Sequence, residues 1–224
     1  MIKQIEGVKV SELIVFILEC IGTIAFAITG VLVAVESRLD FFGVVFVGTI
    51  TAVGGGILRD IILGITPPLI FGNLIVISIA LIVSIVVFWI LYIKKSLYKH
   101  KVKIEYINNF FDAIGLGVFS VMGAEVASNY GYESRLLIIA AGMLTGIGGG
   151  MLRDLMTNNI PFVLRKYVYA VAALIGIIVF YILKKYTEDL VVSSVVAVLL
   201  ITAIRLLAAK YRWKLPKVDI EEVI

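Results

Sequence analysis

Cysteine, histidine and charged side chains are all scarce in this chain of 224 residues. Cys20 is the single cysteine, so no disulfide can form within the chain. His100 is the single histidine, which excludes a metal site built from several histidines. Charged residues make up only 16% of the sequence, against about 25% in a typical soluble domain. This deficit excludes an ordinary soluble globular protein.

Apolar residues make up 61% of the chain, and its mean hydropathy is +1.09. Because a helix needs about 20 apolar residues to cross a bilayer, the long apolar runs predict an all-α polytopic protein with seven transmembrane helices. The predicted spans are 12–35, 41–64, 69–93, 104–128, 134–157, 163–183 and 188–208. We therefore expect a single transmembrane domain over residues 1–210 and a short cytoplasmic tail over 211–224.

The basic residues predict how these spans are oriented. Five Lys and Arg lie on one side of the predicted membrane and thirteen on the other. The smaller group is Lys3, Lys9, Arg135, Lys184 and Lys185. The larger group is Arg38, Lys94, Lys95, Lys99, Lys101, Lys103, Arg165, Lys166, Arg205, Lys210, Arg212, Lys214 and Lys217. Because basic residues accumulate on the cytoplasmic side, we expect a multi-pass cell-membrane protein with its N-terminus outside and its C-terminus in the cytoplasm.

One heptapeptide occurs twice, once in the second predicted span and once in the fifth. Gly54–Asp60 and Gly148–Asp154 are identical at six of seven positions, at an offset of 94 residues. Pro67 and Pro161 follow at the same offset. The two remaining arginines of the chain lie within these segments, so the repeated motif carries the predicted intramembrane basic charge.

A second match places the repeats on the chain. Several glycine, alanine and phenylalanine positions of the first and fourth spans correspond at an offset of 93, which sets Glu19 opposite Asp112. Repeat one is predicted over 11–93 and repeat two over 104–184, with an extra helix at 188–208. Because each repeat has three spans, the second must enter the membrane from the opposite face, as in inverted-repeat membrane proteins.

The glycine triplets and their charged neighbours are the candidate functional site. Glycine costs roughly 1 kcal/mol relative to alanine in a helix interior, and Arg or Asp near a bilayer centre costs about 2.5–3.5 kcal/mol. We expect the two helices to bend or unwind beside a wet path, although glycines also serve simply for close helix packing. The predicted pore and gating residues are Gly54, Gly55, Gly56, Arg59, Asp60, Gly148, Gly149, Gly150, Arg153 and Asp154.

Other polar residues are secondary candidates. Glu19 and Asp112 could pair with the arginines, and Asn73, Thr51 and Thr145 could line the path, although serine and threonine in membrane helices often bond to their own backbone. Because adjacent residues point about 100° apart on a helix, ion pairs are expected between distant positions. The expected pairs are Arg59 with Asp154 or Asp112, and Arg153 with Asp60 or Glu19. The deep acids number four against two arginines, which leaves two net negative charges and favours a cation as the permeant species. These acids are Glu19, Asp60, Asp112 and Asp154.

The twin glycine-triplet and Arg-Asp segments resemble the prokaryotic branch of the trimeric intracellular cation (TRIC) channels, over about residues 10–208. The resemblance implies two inverted three-helix repeats plus a seventh helix, a homotrimer with a pore in each protomer, and passive conduction of monovalent cations, chiefly potassium. It also implies that Gly54–Gly56 and Gly148–Gly150 kink the second and fifth helices.

Two functions stay open from the sequence. The leading one is a potassium channel constricted at the glycine-broken second and fifth helices. The alternative is a secondary transporter or exporter of a small solute such as an amino acid, because inverted repeats with broken helices are common among transporters. No enzyme is expected, since the spans hold no nucleophile paired with a base and no metal-binding cluster. No cofactor is expected beyond the permeant potassium ion and bound lipid, and no nucleic-acid partner.

Overall fold

The computed structural model describes residues 2–94, 101–132, 134–165, 168–187 and 189–213, and its regular elements over these residues are all helical. The helices are α1 Ile2–Glu36, α2 Phe41–Ile62, α3 Leu74–Ile93, α4 Lys101–Asn129, α5 Arg135–Met156, α6 Phe162–Arg165, α7 Ala170–Thr187 and α8 Leu190–Lys210. A short 3₁₀-helix, Leu69–Gly72, lies between α2 and α3. All except α6 and the 3₁₀-helix are long and apolar enough to span a membrane, giving seven spans in this part of the chain. The predicted fold class is confirmed.

Two spans begin later than predicted. The third begins at Leu74 rather than at 69, and the sixth at Ala170 rather than at 163. The intervening residues form the 3₁₀-helix and α6, which directly follow Pro68 and Pro161. Proline has no backbone N–H to donate and is tolerated mainly in the first turn of a helix. Hydropathy did not reveal these short helices, because they are as apolar as the spans that they precede.

Some predictions concern residues that the structure does not describe. The tail beyond Trp213 is among them, and so are five basic residues of the cytoplasmic group. These are Lys95, Lys99, Lys166, Lys214 and Lys217. The predicted orientation therefore rests on the sequence.

The centre of the fold is built from matching helices of the two repeats. α1 packs against α2 and α4, and α5 packs against α2 and α4. Phe26 of α1 and Phe119 of α4, which correspond at the offset of 93, lie with ring centroids 5.2 Å apart. α4 is the most enclosed span, with 72% of its apolar window buried, whereas α3 has 17% buried. α8 packs on α4 and α7, on the side of repeat two.

The glycine triplets mark the crossing of α2 and α5. Both helices remain α-helical through the triplets, so the expected unwinding is not found. A Cβ atom on Gly55 would overlap the carbonyl oxygen of Thr145, and one on Gly149 would overlap the carbonyl oxygen of Thr51. The physical reason is close packing: without side chains, the two backbones meet directly.

The third glycine of each triplet has a different environment. A Cβ on Gly56 would have a single neighbour, Arg59 Nη2, at 3.8 Å. A Cβ on Gly150 would first meet Tyr169 Oη at 3.5 Å, which is ordinary contact. Each triplet therefore combines a central glycine required by the crossing with a final glycine that lies beside the arginine.

Gly55→Ala is expected to destabilise the protein by about 1–3 kcal/mol, because its methyl group forces the two backbones apart. Gly56→Ala is the matched control, since the same methyl group there meets no close atom and alanine favours a helix by about 1 kcal/mol over glycine. Thermal unfolding of the purified protein in detergent measures both effects. Equal melting temperatures for the two variants would contradict a backbone contact at Gly55.

Candidate functional site

Each motif arginine pairs with the aspartate that follows it. Arg59 Nε donates to Asp60 Oδ1 at 2.8 Å, and Arg59 Nη2 lies 2.7 Å from the same oxygen. Arg153 Nε donates to Asp154 Oδ1, also at 2.8 Å. The predicted pairs between repeats are therefore wrong. Helical spacing fixes the direction of each Cα–Cβ bond, whereas the long arginine side chain can fold back and bring its guanidinium to the adjacent carboxylate.

The structure contradicts every ion pair that was predicted for the two arginines. Arg59 pairs with neither Asp154 nor Asp112, and Arg153 pairs with neither Asp60 nor Glu19. The second partner of Arg153 is Asp112, which belongs to the same repeat.

The second carboxylate oxygen of each aspartate binds the start of the following short helix. Asp60 Oδ2 accepts the backbone N–H of Leu69, and Asp154 Oδ2 accepts that of Phe162, both at 2.8 Å. The first N–H groups of a helix lack partners within the helix, so each aspartate supplies one. The Arg-Asp pair thus fixes the chain where it leaves α2 or α5.

Repeat two extends this pair into a buried network. Arg153 Nη1 donates to Asp112 Oδ1 of α4 at 3.0 Å and to Thr29 Oγ1 of α1 at 3.1 Å. Arg205 Nη2 of α8 donates to the other oxygen of Asp112 at 3.4 Å. The Arg205 guanidinium also lies 4.5 Å from the centre of the Tyr169 ring. Arg153 and Asp112 are 0% exposed and Arg205 is 1% exposed.

Arg205 is a member of this network that the sequence did not predict. It was counted among the cytoplasmic charges because it lies only three residues before the end of the predicted span 188–208. The available signal was its position inside the predicted span 188–208, where an arginine needs a partner. With Arg205 included, the carboxylates of Glu19, Asp60, Asp112 and Asp154 are set against three guanidinium groups, and their net excess falls from two negative charges to one. Glu125 is also buried, in α4, and has Lys184 as its charge partner.

Repeat one has a simpler cluster. Arg59 is 7% exposed and its ion pair is with Asp60. Glu19, the counterpart of Asp112, is half-buried in α1 and makes no hydrogen bond or ion pair within the described part of the chain. The two repeats therefore share the Arg-Asp pair but differ in what surrounds it.

The secondary candidates mostly have local roles. Thr51 Oγ1 donates to the carbonyl of Val47, and Thr145 Oγ1 to that of Ala141, each at 2.6 Å within its own helix. Asn73 accepts the backbone N–H of Val76 and caps α3. These contacts match the alternative in which such side chains satisfy the backbone rather than line a path.

Comparison with known proteins gives the family. The glycine transporter family model matches residues 16–92 and 109–185, once on each repeat. The inner membrane protein YadS of Escherichia coli is 34% identical over 94% of this chain and 99% of its own length. A crystal structure of a prokaryotic TRIC channel in 0.5 M KCl is 37% identical, covers 91% of this chain and 100% of that chain, and has a TM-score of 0.81. The chain belongs to the prokaryotic TRIC family.

A second TRIC structure, described as a trimeric intracellular cation channel orthologue from Rhodobacter sphaeroides, is 31% identical with a TM-score of 0.79. It covers 88% of this chain and 98% of that chain. The resemblance predicted from the twin motifs is thus confirmed. These structures are described as channels, in agreement with the prediction that the chain is not an enzyme.

Arg153→Gln is expected to destabilise the protein by about 3–5 kcal/mol, because it leaves Asp112 and Asp154 buried with their main counter-charge removed. Arg135→Gln is the control, since Arg135 lies exposed at the start of the same helix. Arg59→Gln is expected to fall between them, with one carboxylate losing its partner. Thermal unfolding in detergent ranks the three variants, and equal melting of the Arg153 and Arg135 variants would contradict the buried network.

Proposed function

We propose that this chain is a monovalent cation channel, chiefly for potassium, with one conducting path in each protomer of a homotrimer. The observation that carries the proposal is the match, at 37% identity over 91% of this chain, to a prokaryotic TRIC channel crystallised in 0.5 M KCl. The path passes the crossing of α2 and α5, the two helices that carry the repeated motif. The proposal includes potassium as the permeant ion and bound lipid, and no cofactor.

The crossing of α2 and α5 supports a constriction at the glycine triplets. Gly55 faces the carbonyl of Thr145 so closely that even a methyl group would not fit, and Gly149 faces the carbonyl of Thr51 in the same way. An ion can pass there only after the two helices separate. Glycine lets the backbone absorb such a movement with little steric resistance.

The charges near the crossing support a cation as the permeant species. The Arg59–Asp60 pair lies at the C-terminal end of α2, and the Arg153–Asp154 pair at the C-terminal end of α5. Since corresponding helices of inverted repeats run in opposite directions, the pairs lie on opposite sides of the crossing. The excess carboxylate attracts cations and repels anions.

We further propose a cell-membrane location with the N-terminus outside and the C-terminus in the cytoplasm, in a single transmembrane domain with repeat one over 11–93 and repeat two over 104–184. Arg205 leaves the topology count because it is buried against Asp112. Five basic residues against twelve still favour the same orientation.

Purified protein in a planar bilayer with a potassium chloride gradient is expected to give unitary currents that reverse near the potassium equilibrium potential. Reversal near the chloride potential, or no current at all, would refute the channel. Empty-detergent reconstitutions are the control for leakage.

A second function, transport of a small amino acid, is favoured by one observation. The family model that matches both repeats is described as a glycine transporter. In this alternative, a motif arginine exposed by a movement of α2 or α5 binds the carboxylate of the amino acid.

Under the channel proposal, proteoliposomes holding the protein are expected to take up radiolabelled glycine no faster than protein-free liposomes, because the buried arginines keep their carboxylate partners. Saturable glycine uptake that Arg59→Gln abolishes, with no unitary potassium current, would instead establish the transporter. Measuring both activities on one reconstituted sample separates the two functions.

A further inference from the structure

Glu19 and Asp112 are symmetry counterparts with opposite environments. They correspond at the offset of 93 in α1 and α4. Asp112 is fully buried, and each of its carboxylate oxygens faces an arginine, Arg153 at 3.0 Å and Arg205 at 3.4 Å. Glu19 is half-buried and has no such contact within the described residues. Equivalent positions in the two repeats therefore carry a neutralised carboxylate and a carboxylate without a direct partner.

The extra helix α8 is one cause of this difference. It packs on α4 of repeat two, and its Arg205 reaches Asp112 from there. Within the described residues, repeat one has no helix equivalent to α8, so no counterpart of Arg205 reaches Glu19. Arg59 also differs from Arg153, because its ion pair is with Asp60 and it acts on Glu19 only at longer range.

The result is a one-sided distribution of fixed charge. In repeat two, Asp112 and Asp154 are balanced by Arg153 and by Arg205 of α8, and Glu125, which is also buried in α4, has Lys184 of α7 as its charge partner. In repeat one, the two carboxylates are Glu19 and Asp60 and the one guanidinium is that of Arg59, so a single negative charge is left over. Since the two clusters lie at opposite ends of the α2–α5 crossing, this charge lies at one end only, and its partly exposed member is Glu19.

We propose that Glu19 is the residue that recruits the permeant cation, and that it acts at one mouth of the conducting path while Asp112 is a structural counter-ion at the other. This inference rests on the proposed channel function. A fixed charge at a mouth raises the local cation concentration. The effect is strong when the Debye length is about 10 Å, at 0.1 M salt, and weak when it is about 3 Å, at 1 M.

The test compares single-channel potassium conductance of wild type and Glu19→Gln at 0.1 M and 1 M KCl in planar bilayers. The conductance of Glu19→Gln is expected to be about half that of wild type or lower at 0.1 M KCl. At 1 M the two conductances are expected to be nearly equal, because salt screens the Glu19 charge of the wild type. Glu12→Gln is the matched control, since it removes the same charge from an exposed position of the same helix. Its expected change at 0.1 M is smaller.

Stability separates the two carboxylates independently of conduction. Glu19→Gln is expected to melt like wild type, whereas Asp112→Asn is expected to melt lower or to yield no folded protein, because two buried arginines lose their partner. Equal destabilisation by the two variants would overturn the proposal, as would a stable Asp112→Asn that loses conductance just as Glu19→Gln does.

The conductance results also separate this inference from the channel proposal. A conducting wild type whose Glu19→Gln variant conducts equally at 0.1 M refutes the role of Glu19 and leaves the channel standing. A wild type without current refutes the channel, and with it the recruiting role.

Discussion

Burying an arginine in apolar surroundings costs several kcal/mol unless carboxylates and hydrogen bonds compensate it, and Arg153 is completely buried. Its compensation comes from Asp154 on α5, Asp112 on α4 and Thr29 on α1, so a single guanidinium fixes three helices from both repeats. The second carboxylate oxygens of the two aspartates connect further helices to this network. Asp154 Oδ2 accepts the first backbone N–H of α6, and Asp112 Oδ2 accepts a hydrogen bond from Arg205 of α8. The position of each of these elements depends on satisfying one buried positive charge.

The glycine crossing gives this network its geometry. At Gly55 and Gly149, α2 and α5 pack more closely than a Cβ atom would allow, because a carbonyl oxygen of the other helix lies against each glycine. Such contacts suit weak Cα–H···O interactions, which recur between closely packed helices. The same closeness brings α5 against α1 and α4, where the partners of Arg153 lie. The repeated motif therefore joins a packing element to a charged element, and each requires the other to be in place.

The sequence predicted the number of spans, their order and the twin motif, because hydropathy and internal repetition can be read directly from the order of the residues. It did not predict the ion pairs, since the direction of a Cα–Cβ bond leaves the end of an arginine side chain undetermined. Arg205 was counted as a cytoplasmic charge because charge counting treats every arginine near a span end as solvated. Only the packing of α8 on α4 shows that its partner is Asp112. The short helices before α3 and α7 were hidden inside continuous apolar runs.

The attachment of α8 to repeat two also bears on how the molecule can move. In an ideal inverted repeat, exchanging the conformations of the two halves produces a second state of equal free energy. Here that exchange would break the Asp112–Arg205 contact, and repeat one offers no substitute. A free-energy difference of a few kcal/mol leaves the minor state at about 0.1–10% of the population. The contact between Arg205 and Asp112 therefore makes the two conformations unequal in free energy, and one of them is the more populated.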